Sequence, residues 1–195
     1  LTDITSFTDY VEQLNLFFDS DMLDDVETIE TSYPTYDKDR FLDSVYMNDE
    51  TYNILVSLVK SKKNIILQGA PGVGKTFVAK RLAYSMMGVK DPNRVMMVQF
   101  HQSYSYEDFI MGFRPCENGF KLKHGVFYEF CKRAEVDSDN DYFFIIDEIN
   151  RGNLSKIFGE LFMLLESDKR GVSLQLLYAD EKFSIPENLY IIGMM

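Results

Sequence analysis

The eight residues GAPGVGKT, Gly69 to Thr76, constrain the fold of this chain more than any other stretch. They match the pattern G-x-x-x-x-G-K-[ST], and they follow a short apolar segment, NIILQ, and open an amphipathic one. A glycine-rich turn in that position directs backbone N–H groups at phosphate oxygens, and the following helix adds the positive end of its dipole. The stretch therefore predicts a phosphate-binding loop between a buried strand and a helix, in an α/β fold of the P-loop NTPase type.

The residues of this loop have expected roles in binding a nucleoside triphosphate. Lys75 is expected to bridge the β- and γ-phosphates and so to act in catalysis, and the Thr76 hydroxyl is expected to ligate Mg²⁺. A glycine turn that matches by chance is the alternative, and the strand and helix in register on either side argue against it. The predicted nucleotide contacts are Gly69, Ala70, Pro71, Gly72, Val73, Gly74, Lys75, Thr76 and Phe77.

A second motif, YFFIIDEIN at residues 142–150, completes the chemistry that the loop suggests. Its apolar residues predict a buried strand that ends in two carboxylates, Asp147 and Glu148, at the carboxyl edge of a sheet. Asp147 is expected to hold Mg²⁺ through its water shell, and Glu148 to orient and deprotonate the attacking water. Alternatively, Glu148 caps the next helix or pairs with Arg151. Together with the phosphate loop, the motif predicts hydrolysis of a nucleoside triphosphate.

The net charge of −11 is concentrated at one end of the chain. Residues 1–60 hold fourteen Asp and Glu against three Lys and Arg, whereas residues 61–195 hold seventeen of each. Tracking a phosphate backbone needs clustered Lys and Arg, so any DNA is expected to be held by another domain or subunit. No apolar stretch approaches the roughly 20 residues of a membrane helix, so no membrane partner is expected. Cys116 and Cys131 lack metal-site spacing, which predicts free thiols and a cytoplasmic location.

Apolar segments alternate with amphipathic ones from residue 64 onward. The segments NIILQ, RVMMVQF, YFFIID and LYIIGMM predict parallel strands in a sheet covered by helices on both faces. Two inserted hairpins are predicted, one near 119–125 and one at 173–186. The segment LSKIFGELFMLLESDKR predicts one long helix, with an apolar face made of Leu154, Ile157, Phe158, Leu161, Phe162 and Leu165.

The first part of the chain predicts an acidic arm, residues 1–37, attached to a nucleotide-binding core, residues 38–195. Within the arm, Ser6–Phe18 has the apolar spacing of a helix, and the acidic run that follows reads as a linker. A further helical region is predicted at about 39–60, with Asn48 as a cap inside it.

The segment VQFHQSYSYEDFI, residues 98–110, is too polar for a buried core and too rich in aromatic residues for an ordinary connecting loop. One interpretation is a capped helix, in which Ser105 and Asp108 form a capping box and neighbouring tyrosines pack inward. The other takes the loop as Phe100–Arg114 and interprets it as a contact surface, on which exposed Tyr, His and Arg side chains engage a partner. The two interpretations are compatible.

The order of phosphate loop, strand, insert, acidic strand, helix, hairpin and final strand is the layout of an AAA+ module. Three blocks narrow this further: QFHQSYSYEDFIMGFRP, IIDEINRGNLSKIFGELFMLLESDKR and ENLYIIGMM. Together with the phosphate loop they resemble the AAA+ GTPase subunit of McrB-type 5-methylcytosine-specific restriction systems. The likeness covers about residues 38–195.

The resemblance implies a subunit that binds GTP, with ATP as the alternative, together with Mg²⁺ at Thr76 and Asp147. It implies a catalytic carboxylate at Glu148 and a homo-hexameric ring that hydrolyses when a McrC-type endonuclease subunit docks. In the family, modified DNA is held by a different N-terminal domain. Three residues match the family's extended acidic block, and the resemblance places them near the γ-phosphate or a subunit interface: Asn150, Arg151 and Asn153.

Two departures from the family pattern keep other functions open. Residues 1–37 are too short and too acidic for a methylated-base reader. The order of elements also predicts a fifth strand and a lid after Met195, so the sheet is expected to be truncated and hydrolysis by this segment alone is not expected. The alternatives are an AAA+ ATPase that remodels protein partners and an assembly scaffold that binds nucleotide without turning it over.

Overall fold

The computed structural model describes residues 32–117 and 119–195. The helix predicted at Ser6–Phe18 and most of the predicted acidic linker lie outside the described residues. Residues Tyr33–Met195 form one compact unit. Within the described ranges, no helix is both long and apolar enough to cross a membrane.

Two helices open this unit, and helices then alternate with strands except at the two predicted hairpins. The helices are α1 (Lys38–Ser44), α2 (Asp49–Lys62), α3 (Lys75–Met87), α4 (Tyr106–Phe109), α5 (Val126–Val136) and α6 (Leu154–Phe158). The strands are β1 (Asn64–Leu67), β2 (Val95–Gln99), β3 (Met111–Cys116), β4 (Gly119–His124), β5 (Tyr142–Asp147), β6 (Leu174–Gln175), β7 (Lys182–Phe183) and β8 (Leu189–Met194).

Four strands form the predicted parallel sheet, in the order β1-β8-β5-β2. The last strand in sequence, β8, lies between β1 and β5, so that Ile65 is in register with Ile192 and Ile145 with Ile192. Because all four strands run the same way, their carboxyl ends meet at one edge of the sheet. This edge carries both the phosphate loop and the acidic motif.

The sheet has a separate apolar core on each face, as a parallel sheet buried on both sides requires. Successive side chains of a strand point to opposite faces, so Phe143 and Ile145 of β5 pack with α1, α2 and α3. Phe144 and Ile146 pack on the other face with α5 and α6. All four side chains are fully buried. The α/β fold with helices on both faces is confirmed.

The predicted helical region at 39–60 is two helices, and Asn48 separates them as expected. Its side-chain oxygen accepts a hydrogen bond from the N–H of Thr51 at 2.8 Å and so caps α2. The unit also begins slightly before residue 38, because Thr35 forms a β-bridge with Val89 after α3.

The long helix predicted at 154–170 is wrong. The α-helix ends at Phe158, and short 3₁₀ turns cover Gly159–Leu165 and Ser167–Lys169. Gly159 has φ +53°, which an α-helix cannot continue through, and a Cβ there would lie 3.0 Å from the Tyr106 ring. The break rotates the following residues, so that Phe162, predicted on the apolar face, is exposed.

Both predicted hairpins are present, and their side chains contact one another. Strands β3 and β4 pair in antiparallel register, as do β6 and β7. The Tyr178 hydroxyl donates to Glu107 Oε1 at 3.0 Å, and the Phe113 and Tyr178 rings meet edge-on. A His124 ring nitrogen lies 3.3 Å from Glu181 Oε1. The two inserts therefore form one surface beside α4.

Gly125, at the start of α5, sits against the backbone of α4 with no room for a side chain. A Cβ on Gly125 would lie 2.5 Å from the Phe109 carbonyl oxygen and 2.7 Å from that of Asp108. We expect Gly125→Ala to lower the free energy of unfolding by about 1–3 kcal/mol, since the backbone must move to admit a methyl group. Chemical denaturation measures this, with Val136→Ala at the exposed end of the same helix as the control. Equal stability of the two variants would contradict the prediction.

Candidate nucleotide-binding site

The predicted phosphate loop connects β1 to α3. Gly72 and Gly74 have φ angles of +81° and +86°, which residues with a Cβ rarely adopt, so the pattern needs glycine at both positions. Gly74 is the N-cap of α3. The loop thereby places the unpaired N–H groups and the positive dipole end of a 13-residue helix at the sheet edge.

Lys75, the first residue of α3, turns its side chain back over the loop. Its Nζ donates to the carbonyl of Gly69 at 2.7 Å and to that of Ala70 at 3.0 Å. The amine thus lies in the concave side of the turn, where phosphate oxygens are expected to bind. Phe77, the last predicted contact, is partly exposed one turn into the helix, and the Arg81 guanidinium lies 3.2 Å from its ring centroid.

The acidic motif lies at the same sheet edge, because β5 is parallel to β1. Asp147 ends the buried strand, and Glu148 follows it outside the strand. Both residues are partly exposed, and Asp147 Oδ1 accepts a hydrogen bond from the Glu148 N–H at 3.0 Å. The structure thus brings the two carboxylates and the loop to one face of the fold.

Glu148 combines a strained backbone with an ion pair. Its φ and ψ are +51° and +45°, a left-handed conformation that costs of order 1 kcal/mol for a residue with a side chain. Its Oε2 lies 3.0 Å from Arg151 Nε. The alternative interpretation, in which Glu148 pairs with Arg151, is therefore present in the structure. It does not exclude a catalytic role, because the carboxylate stays partly exposed at the sheet edge.

The oxygen donors at this edge suit magnesium. Mg²⁺ prefers hard oxygen ligands and is usually held by one or two protein groups, with water and phosphate completing its shell. Thr76 offers a hydroxyl in the first turn of α3, and Asp147 offers a carboxylate at the end of β5. No group of three or more His, Cys, Asp or Glu that could hold a metal occurs in the described ranges.

A cleft lies between the end of α1 and the start of α2. Its volume is about 600 Å³. Tyr46 is fully exposed there, and Val45 and Met47 border it. The remaining lining residues are Leu42, Asn48 and Thr51. A ring of this kind is a platform on which a purine can stack.

The aromatic loop begins the short helix α4 with the predicted capping box. The N–H and hydroxyl of Ser105 donate to Asp108 Oδ2 at 3.3 and 2.9 Å, and Arg114 also pairs with Asp108. Partial burial opposes ionisation of Asp108, but these hydrogen bonds hold its pKa below the usual value. Tyr104 packs on Phe100, with ring centroids 4.9 Å apart. The capped-helix interpretation is confirmed, whereas the partner surface stays a prediction.

Polar residues of this loop and of the acidic motif meet in a shared cleft of about 610 Å³. The cleft is lined by His101, Gln102, Ser103, Asn150 and Arg151. The side chain of Asn153, the third polar residue of that block, caps α6 by accepting the N–H of Lys156 at 3.1 Å. Asn153 therefore caps a helix, whereas Asn150 and Arg151 line the cleft.

Sequence reasoning missed one residue between the two motifs and one that joins α4 to the second hairpin. Gly193 lies in the central strand β8 between the two motifs, and a Cβ there would be 2.7 Å from Ile149 Cδ1 and 3.5 Å from Ile66 Cγ1. Glu160 accepts hydrogen bonds from the Tyr106 hydroxyl and the Leu177 N–H, at 2.7 and 3.1 Å. Burial, followed by this carboxylate, raises the pKa of Tyr106. The only sequence signal for Gly193 is a glycine within an apolar strand. No sequence signal indicates the contacts of Glu160.

Comparison with known proteins gives relatives among restriction enzymes. The chain is 57% identical over 159 residues to the Type IV methyl-directed restriction enzyme EcoKMcrB subunit of Escherichia coli strain K12, a match to 79% of this chain and 35% of that subunit. It is 26% identical over 166 residues to the Type II restriction enzyme BsuMI component YdiS of Bacillus subtilis strain 168, covering 65% and 48%. The chain thus spans about a third to a half of the length of these relatives.

A solved structure and a family model complete the comparison. A crystal structure of a candidate ATPase from Cytophaga hutchinsonii aligns with a TM-score of 0.43 at 16% identity, over 75% of this chain and 37% of that one. The family model described as AAA domain (dynein-related subfamily) matches residues 64–195, from the first strand of the sheet to the last. The resemblance to a McrB-type module is confirmed, and the chain belongs to the AAA domain family, in its dynein-related subfamily.

Proposed function

We propose that this chain is the nucleotide-hydrolysing motor module of a modification-dependent DNA restriction system and that it uses GTP with Mg²⁺. The observation that carries the proposal is the meeting of the phosphate loop, Asp147 and Glu148 at one sheet edge, in a chain 57% identical over 159 residues to a methyl-directed restriction subunit. GTP is the nucleotide that the family resemblance implies.

The chemistry follows from the residues at the edge. Backbone N–H groups of the loop and the N-terminus of α3 bind the phosphates, and Lys75 offsets the charge that develops on the transferred group. Thr76 and Asp147 would hold Mg²⁺, which when bound neutralises charge on the β- and γ-phosphates. Glu148 accepts a proton from the attacking water, since a carboxylate beside the phosphate is the general base that hydrolysis requires.

The cleft beside Tyr46 is the proposed base site, because it offers an exposed aromatic ring. Stacking on this ring holds either purine, so the cleft supports a purine nucleotide and leaves the choice of GTP to the family resemblance.

The partners are proposed on the same resemblance. They are further copies of the chain in a homo-hexameric ring and a McrC-type endonuclease subunit, with DNA held by another domain or subunit. The surface formed by the two hairpins supports a protein partner, since Phe113, Phe120 and Leu177 are exposed on it. The charge distribution supports the DNA assignment, because residues 61–195 carry equal numbers of acidic and basic side chains.

Titration of the full-length protein with GTP and with ATP, in the presence of Mg²⁺, tests the proposal. Hydrolysis of each nucleotide is measured with and without the McrC-type endonuclease subunit. We expect GTP to bind more tightly and its turnover to rise when the second protein is added. Preference for ATP without such stimulation would favour a remodelling ATPase. Tight binding with no turnover in either condition would favour the assembly scaffold.

A further inference from the structure

The carboxylate of Glu148 is held by the segment that follows it rather than by the sheet. Glu148 is one of only two non-glycine residues with positive φ in the described part of the chain. Backbone strain of this kind persists where surrounding contacts determine the conformation, and it concentrates at functional sites. The contacts that fix Glu148 therefore bear on its role.

Two of these contacts come from Arg151. The Arg151 N–H donates to the Glu148 carbonyl at 2.9 Å, and Arg151 Nε lies 3.0 Å from Glu148 Oε2. The third contact comes from Asp147, whose Oδ1 accepts the Glu148 N–H at 3.0 Å. Contacts within residues 147–151 thus restrain both the backbone and the side chain of Glu148.

The ion pair is poorly placed to stabilise the fold. The Arg151 side chain is 64% exposed and that of Glu148 36%, and ion pairs this open to water add little to stability. A glutamate side chain otherwise samples many rotamers, so one charged hydrogen bond is enough to bias the direction of its carboxylate. The contact is thus better explained by orientation than by folding.

We infer that Arg151 is a positioning residue for hydrolysis, which acts by directing the Glu148 carboxylate toward the attacking water. The inference rests on the proposed function, since it assigns Arg151 a task only if Glu148 is the general base. Misplacement of a catalytic group by about 1 Å can cost on the order of 100-fold in rate, so a modest contact can have a large kinetic effect.

Steady-state kinetics of the full-length protein, with binding measured separately by a fluorescent nucleotide, tests this. We expect Arg151→Ala to lower kcat about 10- to 100-fold while nucleotide affinity stays within about twofold. Arg151→Lys should recover most of the loss, because an amine can still donate to Glu148. In a Glu148→Gln background, Arg151→Ala should cause no further loss, since the two residues act as one unit.

The matched control is Lys156→Ala, which removes an exposed positive charge from α6, close by in sequence. Light scattering and thermal unfolding check that assembly and fold are unchanged, and Arg151→Gln replaces the alanine variant if that one does not fold. An unchanged or higher kcat in Arg151→Ala, or equal losses in both backgrounds, overturns the inference. If the unmodified protein hydrolyses no nucleotide with its partner present, both the proposed function and this inference are wrong. If it does hydrolyse nucleotide and the rate does not depend on Arg151, only the inference is wrong.

Discussion

Replacing Lys75 with alanine is expected to abolish nucleotide binding. The Lys75 amine lies in the concave side of the loop, bound to the Gly69 and Ala70 carbonyls at 2.7 and 3.0 Å. Hydrogen bonds from a charged donor contribute about 1.5–3 kcal/mol each, so losing two contacts to phosphate weakens binding at least about 100-fold. Calorimetric titration of the full-length variant with GTP measures this.

The same variant separates binding from folding. Lys75 is partly exposed and lies outside both apolar cores, so we expect thermal unfolding of the variant to match that of the unmodified protein without nucleotide. The matched control is Lys80→Ala, an exposed lysine farther along α3, which should bind nucleotide normally. Nucleotide affinity in Lys75→Ala within a few-fold of normal would show that the loop does not bind phosphate as proposed.

Glu148→Gln is expected to retain nucleotide binding and to lose hydrolysis. Glutamine has the same shape and can still accept from Arg151 Nε, but it cannot take up the proton of the attacking water. Loss of a general base lowers the rate about 10²- to 10⁴-fold. Single-turnover hydrolysis by the full-length protein with its partner measures the chemical step, and the fluorescent nucleotide measures affinity.

The control for this second prediction is Glu166→Gln, which alters an exposed carboxylate between the two 3₁₀ turns. Its hydrolysis rate should equal that of the unmodified protein. If Glu148→Gln hydrolysed GTP at the normal rate, the general base would have to be another group. If Glu148→Gln failed to bind nucleotide, the carboxylate would contribute to nucleotide binding rather than to the chemical step.

The parts of the fold that the sequence predicted well are those set by local chemistry. The four central strands are solidly apolar, and each observed strand lies within the predicted segment. Asn48 and Ser105 were predicted as caps because their side chains satisfy N–H groups within three residues. The loop at 69–76 needs glycine where φ is positive, and its sequence motif has glycine at those positions. Local rules therefore recover both the sheet and the outline of the site.

The missed features depend on residues that are distant in sequence. The apolar spacing after residue 154 fits an α-helix as well as 3₁₀ turns, and the break at Gly159 occurs where the Tyr106 ring packs against it. The sequence predicted the Glu148–Arg151 ion pair only as an alternative to a catalytic role for Glu148. Arg170 gave no signal: it is buried, donates to Asn64 at 2.6 Å, and has its pKa lowered by burial to about 10.

Gly193 has a consequence for how defects in this protein would be interpreted. Its lack of a side chain lets Ile149, next to Glu148, and Ile66, which precedes the phosphate loop, both pack close to the backbone of β8. A larger residue at this place would push Ile149 away from β8 and so shift the acidic motif relative to the phosphate loop of the proposed site. A genetic screen for inactive protein would thus recover changes inside an apolar strand, and such a hit would report altered spacing rather than a lost contact with substrate.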